Sequence, residues 1–163
     1  MHFPLHPETS TGGMTLEKLF EGRGLDVAAS QAHLRELAHA EGLPYGDRTM
    51  TYNSRLAQEL THWADSLESG DRLHEALGRA YFGEGLDISD PEVLMGVVAK
   101  VDLPVDEAMG VLQTRSFREA VDADWNRSRE LAISGVPTFL MAGRVLVGAH
   151  PYETLEELVK QAG

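Results

Sequence analysis

Apolar side chains recur at helical spacing through most of the middle of the chain. In the segment that opens at Asn53 or Ser54, Trp63 follows Leu60 at i+3 and Ala64 follows it at i+4, so all three share one helix face. The same periodicity recurs in other segments, which are separated from one another by turn-forming residues. It predicts helices that begin at Asp26, Asp71, Asp90, Asp106, Ser116 and Pro151.

Two short runs near the end of the chain predict a β-hairpin instead. Thr138–Met141 and Arg144–Val147 are rich in strand-forming residues, and a two-residue link that contains glycine joins them. Pro137 precedes the first run, where its missing N–H and fixed φ are tolerated. It is compatible with an ordinary trans bond at the start of an edge strand or with a cis Val136–Pro137 bond. A shorter extended piece is predicted at Phe3–His6.

The composition is that of one ordinary domain with a hydrophobic core: 163 residues, of which 42% are hydrophobic. The 26 acidic residues outnumber the 14 basic ones, for a formal net charge of −12. This charge repels phosphate backbones and anionic lipid surfaces, so neither nucleic acid nor a membrane is expected as a partner. The chain contains no apolar run near the roughly 20 residues of a membrane span and no pattern typical of an export signal. We therefore expect a soluble protein that is not exported.

The chain contains no cysteine, which excludes disulfides, thiolate metal ligands and a cysteine nucleophile within these residues. None of its seven histidines forms the His-Glu-x-x-His pattern of a helical zinc site, so no metal is expected. Asp122 and Asp124 are better explained by a solvated helix face than by an acid–base pair. Gly83 and Gly85 do not form a phosphate-binding loop, and no G-x-S-x-G elbow is present. The residues alone indicate no catalytic group and no cofactor.

Several segments, taken in order, carry a resemblance that covers nearly the whole chain. Together they resemble the DsbA-like thioredoxin family, specifically its cytoplasmic FrnE branch, whose relatives include the 2-hydroxychromene-2-carboxylate isomerases. The segments are FPLHPE at Phe3–Glu8, NSRLAQEL at Asn53–Leu60, ALGRAYFGEGLDISDPEVL at Ala76–Leu94, AVDADW at Ala120–Trp125, GVPTF at Gly135–Phe139 and GAHPYE at Gly148–Glu153.

The resemblance implies an α/β, thioredoxin-like fold in a single DsbA-like domain over residues 1–163. Residues 1–13 and 135–163 would form a partial thioredoxin core, made of a short N-terminal strand, the hairpin and the last helix. Residues 14–134 would form a large, all-helical insertion. The family's first strand and the helix with its Cys-x-x-Cys motif precede the FPLHPE segment, so we expect this chain to lack both. The family's GVP proline is cis, which implies a cis Val136–Pro137 bond.

Three functional readings follow from the resemblance. The first is a thiol–disulfide oxidoreductase family member without redox cysteines, inactive alone and either a fragment or a natural short form. The second is a non-catalytic module that binds a peptide or a protein partner. The third and weaker reading is a relative of the glutathione-dependent isomerases. No catalytic residue, metal or cofactor is expected in any of them.

The resemblance also implies a binding loop and a partner. In the family, the residue before the cis proline, here Val136, presents its backbone N–H and C=O to an extended peptide or thiol substrate, while Pro137 holds the loop. The missing first strand would leave an open edge on the hairpin or on the N-terminal segment. Since unpaired edges recruit other strands, we expect a homodimer. The FrnE branch implies a cytoplasmic location.

Overall fold

The computed structural model describes residues 1–161. Its backbone divides into two compact units, one made of Met1–Leu5 with Asp122–Gly163 and the other of His6–Val121. The single-domain organisation, with an insertion at residues 14–134, stays a prediction.

Helices make up most of the unit His6–Val121. Two of them begin at the acidic caps that the sequence predicts: Asp26 accepts a hydrogen bond from the N–H of Ala29 at 2.9 Å, and Asp90 accepts one from Glu92 at 2.8 Å. The helices are α1 (Leu16–Leu19), α2 (Val27–Ala40), α3 (Arg55–Asp65), α4 (Gly70–Gly78), a π-helical segment (Arg79–Gly83), α5 (Pro91–Lys100), α6 (Val105–Thr114) and α7 (Arg118–Glu130), whose last residues belong to the other unit.

The apolar core of this unit lies among α3, α4, α5 and α6. Helix α3 packs against α4 and α6, and α5 packs against the same two helices. Leu60, Leu73 and Leu94, one from each of α3, α4 and α5, are fully buried there. Each buried leucine stabilises the fold by about 1.5–3 kcal/mol, so these helices are held by their shared apolar faces.

A small antiparallel ribbon interrupts the helical part, which the sequence reading expected to contain helices alone. Strand β1 (Met14–Thr15) pairs with β2 (Met50–Thr51). Strands of two residues show no alternating pattern, which is why periodicity missed them. Gly13 makes the ribbon possible: it has a φ of 79°, and a Cβ there would lie 2.5 Å from the Tyr52 ring.

The predicted hairpin is confirmed in the other unit. Strand β3 (Thr138–Met141) pairs with β4 (Arg144–Val147) in antiparallel register, with Phe139 opposite Leu146. The two linking residues both have positive φ, which is the requirement of a two-residue hairpin turn that follows the strand twist. Helix α8 (Tyr152–Lys160) follows, and the side chain of Arg144 hydrogen-bonds that of Gln161 just after it.

The strand predicted at Phe3–His6 is wrong. Leu5 donates its N–H to the carbonyl oxygen of Phe3 at 2.9 Å, and His6 has a φ of 51°, so the chain turns here instead of extending. A strand needs alternate N–H and C=O groups aimed at a neighbour, and Pro4 has no N–H to offer. His2, which precedes this segment, is held by a different contact: its backbone N–H donates to the Asp124 carboxylate at 2.6 Å.

Candidate functional site

The loop that carries Val136 and Pro137 lies immediately before β3. The Val136–Pro137 peptide bond is cis. On one side of it, the Thr138 hydroxyl donates to the carbonyl oxygen of Gly135 at 2.6 Å. On the other side, Gly148 donates its N–H to the carbonyl oxygen of Pro137 at 2.8 Å, which extends the hairpin ladder by one bond. The loop is therefore anchored on both sides of Val136 by hydrogen bonds.

Val136 itself is turned to solvent, with 49% of its surface exposed. Its backbone N–H and C=O make no hydrogen bond with any other residue among positions 1–161. A strand that adds to a sheet edge pairs with a backbone donor and a backbone acceptor of the same residue. Val136, next to β3, offers one of each. The arrangement can therefore hold one residue of an extended chain through its main-chain atoms.

A buried carboxylate that sequence reasoning did not single out lies in α3. Glu59 is fully buried and accepts hydrogen bonds from Arg55 Nε at 3.0 Å, from Arg115 Nε at 2.8 Å and from Arg115 Nη2 at 2.6 Å. Arg55 is its i−4 neighbour, a spacing that was visible in the sequence. Arg115 lies 56 residues away along the chain, and no sequence pattern connects it to Glu59.

The electrostatics of this cluster indicate a structural role. Burial works to raise the pKa of the Glu59 carboxyl, but the hydrogen bonds and positive charges of Arg115 and Arg55 outweigh it, so its pKa lies below the ordinary value. A carboxyl held in this way stays ionised at neutral pH and does not exchange protons as a general acid or base would. Glu59 therefore ties α3 to the segment after α6.

The sequence model of one protein family, the DSBA-like thioredoxin domain, matches residues 1–160, nearly the whole chain. The chain belongs to this family, and its fold is the thioredoxin-like DsbA fold. The resemblance in the sequence is confirmed at the level of the family.

Individual relatives agree with this placement. The structure of a probable DsbA oxidoreductase from Streptomyces coelicolor superimposes with a TM-score of 0.82 at 27% identity, covering 96% of this chain and 70% of that one. A protein of Nitrosomonas europaea shares the fold with a TM-score of 0.70 at 16% identity, over 94% of this chain and 77% of the other.

Among curated proteins, YwbO of Bacillus subtilis (strain 168) is 27% identical over 105 residues, which are 64% of this chain and 52% of YwbO. The chain thus spans about half the length of the curated relative that it matches. Within residues 1–161, no helix has the length and apolar character needed to cross a membrane.

Proposed function

We propose that this polypeptide, a member of a thiol–disulfide oxidoreductase family, binds an extended peptide or thiol substrate at Val136 and Pro137 and does not itself perform the exchange. Two observations carry the binding: Val136 is about half exposed, and its backbone makes no hydrogen bond to residues 1–161, within a loop anchored on both sides. Membership of the DSBA-like family supports an extended peptide or thiol as the substrate class, because the backbone of such a loop can pair with an extended chain.

The absence of exchange follows from the chemistry of the reaction. A thiolate attacks a disulfide sulfur and a mixed disulfide forms, so the protein must contribute a sulfur nucleophile. The 163 residues contain no cysteine, and no other side chain forms that intermediate. We expect no insulin reduction by this polypeptide above the rate of dithiothreitol alone. Turnover by a sample of verified intact mass would refute the proposal of inactivity.

Peptide binding is tested by changing backbone N–H groups of the peptide, because Val136 would pair with them through its own backbone. A reduced and alkylated extended peptide is titrated while amide shifts are followed by NMR, and the largest shifts are expected at Val136 and Thr138. N-methylation of the peptide residue that pairs with Val136 should abolish binding, whereas N-methylation of the next residue, which faces away, should leave it intact. Equal effects of the two peptides, or shifts confined to other parts of the chain, would contradict strand-like pairing.

Family membership also supports a second candidate, a full oxidoreductase whose Cys-x-x-Cys motif lies on a segment outside these residues. An in-frame Cys-x-x-Cys within about fifty codons upstream of the Met1 codon would support it, and its absence there would favour the non-catalytic module. The glutathione-dependent isomerase is a weaker third candidate. Assignment to the FrnE branch, and with it a cytoplasmic location, also belongs to this proposal and rests on the segments quoted above.

We further propose that two copies of the chain pair along the hairpin. Strands β3 and β4 form a sheet of two strands within residues 1–161, so each has an edge without a strand neighbour there. Val145 and Val147 on β4 are each 54% exposed, which leaves apolar surface beside that edge. Light scattering should show a dimer that Val145→Lys converts to a monomer and that Val159→Lys, at a 55% exposed position of α8, leaves intact. A monomer at every concentration would overturn this.

A further inference from the structure

An apolar groove lies within the unit His6–Val121. It has a volume of about 510 Å³, within the range of small-molecule sites. Its apolar lining includes Leu34 and Leu37 of α2, Leu43 of the next loop and Phe82 of the π-helical segment. These four side chains are 43%, 48%, 51% and 43% exposed. The chain itself therefore leaves this apolar surface open.

Helix α2 explains why the groove is open. It runs for 14 residues without a single buried side chain, although its leucines share a face. A helix with an apolar stripe ordinarily buries that stripe against a neighbour. Here the stripe stands opposite α4 and the π-helical segment with a cavity between them. Short π-helical segments recur at functional sites, which agrees with a role for the groove.

The lining of the groove also contains charged and aromatic residues. Glu41, which lines it, is the C-cap of α2, where the helix dipole already places partial negative charge. No ion pair joins its carboxylate to any other of residues 1–161. The other two charged groups of the lining, Glu75 and Arg79, pair with each other at 2.8 Å. The groove is also lined by His74. With histidine counted as neutral, as in the net charge of −12, two carboxylates against one guanidinium leave the lining with an excess negative charge.

Two aromatic rings also line the groove. The rings of Tyr45 and Phe82 are stacked, with centroids 6.2 Å apart and an interplanar angle of 21°. Aromatic faces attract cations, and the guanidinium of Arg48 already lies 5.2 Å from the centroid of the Phe82 ring. A carboxylate placed at the negative end of a helix costs stability unless a cation comes to it.

We infer that this groove binds a small molecule with an apolar body and a cationic amine. The apolar body lies against Leu34, Leu37 and Leu43, and the amine lies toward the carboxylate of Glu41. This site is independent of the peptide-binding proposal, since it shares no residue with the loop at Val136. The net charge of −12 favours the approach of a cation over that of an anion.

The test uses butyl-, hexyl- and octyltrimethylammonium as probes, with octyl sulfate and octanol as ligands of matched length. Affinity is measured by NMR titration, which also locates the site. We expect shifts at the amides of residues 34–45 and 74–82, and an affinity that rises about two- to fourfold for each added methylene. Octyl sulfate should bind about fivefold or more weakly than octyltrimethylammonium, and that difference should shrink in high salt.

Paired variants separate the site from the fold. Glu41→Gln should weaken octyltrimethylammonium about two- to fivefold and leave octanol unchanged, while Glu36→Gln, an exposed acid of α2 outside the groove, should change neither. Leu37→Gln should weaken every alkyl probe, while Leu25→Gln, 46% exposed and outside the groove, should not. Because all four side chains are exposed, the variants should stay folded.

Other outcomes overturn the inference. Equal binding of octyl sulfate and octyltrimethylammonium would remove the charge argument. Binding of a Leu/Lys helical peptide at this groove, with no shift from the alkylammonium ions, would assign it to a protein partner. Self-association of the wild-type chain that Leu37→Gln abolishes would assign it to a second copy.

Discussion

Replacing Glu59 by glutamine tests whether the buried ion cluster stabilises the unit His6–Val121. The substitution keeps the shape of the side chain and removes its charge. Arg55 and Arg115 then face a neutral amide that cannot accept hydrogen bonds at both of its ends. The loss should appear in the free energy of unfolding, since Glu59 is not a residue of either proposed binding site.

The magnitude depends on how well water can reach the two arginines. Removing one partner of a fully buried ion pair costs about 3–5 kcal/mol, because the remaining charge is left uncompensated. The side chains of Arg55 and Arg115 keep 15% and 41% of their surface exposed, so water solvates part of their charge. We therefore expect Glu59→Gln to lower the free energy of unfolding by about 2–3 kcal/mol. For a chain of this size that corresponds to a fall in Tm of about 4–12 °C.

The pH dependence of the difference is the sharper measurement. Because the pKa of Glu59 is lowered in the folded state, its ionised form stabilises the fold at every pH above the ordinary glutamate pKa of about 4.3. That contribution is lost as the pH falls through the lowered pKa. Urea unfolding of wild type and Glu59→Gln at a series of pH values should give a constant difference near neutrality and a shrinking one below about pH 4.

The control is Glu75→Gln, which breaks an exposed i,i+4 pair with Arg79 whose side chains are 66% and 50% exposed. An exposed pair of this kind contributes less than about 0.5 kcal/mol. If Glu59→Gln costs no more than Glu75→Gln, or if its cost is the same at pH 3 as at pH 7, the reasoning about the cluster is wrong.

Two further predictions concern packing and are checked by urea unfolding. Leu94→Ala, at a fully buried position of α5, should cost about 2–5 kcal/mol because it opens a cavity in the core. Gly46→Ala should cost about 1–3 kcal/mol, since its Cβ would lie 2.4 Å from the carbonyl oxygen of Gly83, whereas Gly96→Ala, in open space within α5, should gain about 0.5–1 kcal/mol. The reverse order of the two glycine variants would contradict the close approach at Gly46.

Local chemistry made most of the helices and the hairpin predictable. An aspartate cap marked the starts of α2 and α5, and a two-residue link with a glycine gave the register of β3 and β4. The strand predicted at Phe3–His6 failed because the chain turns there, with the N–H of Leu5 bonded back to Phe3, and because Pro4 has no N–H to offer a neighbouring strand. The ribbon of β1 and β2 was missed for a different reason: its pairing is between distant residues and leaves no local pattern.

The candidate sites were less predictable than the fold, because they depend on what lies opposite a residue in space. Leu34 and Leu37 have the spacing of a buried stripe, yet the structure leaves both exposed beside a groove. Periodicity shows that side chains share a face but not whether another element covers that face. Val136 and Pro137 were reached through the family resemblance, and the anchoring bonds around them became visible only in the structure.

The uneven distribution of the apolar core has a consequence for hydrogen exchange. Every fully buried apolar side chain of residues 1–161 lies between Leu16 and Val121, and none belongs to the hairpin or α8. Amide protection rises with the free energy needed to open a segment, and that free energy comes largely from buried apolar contacts. Backbone amides of α3, α5 and α6 should therefore exchange only through global unfolding, while those of β3 and β4 exchange through local opening. The loop proposed to hold an extended peptide thus lies in a part of the chain that opens readily, so a bound strand should slow exchange there.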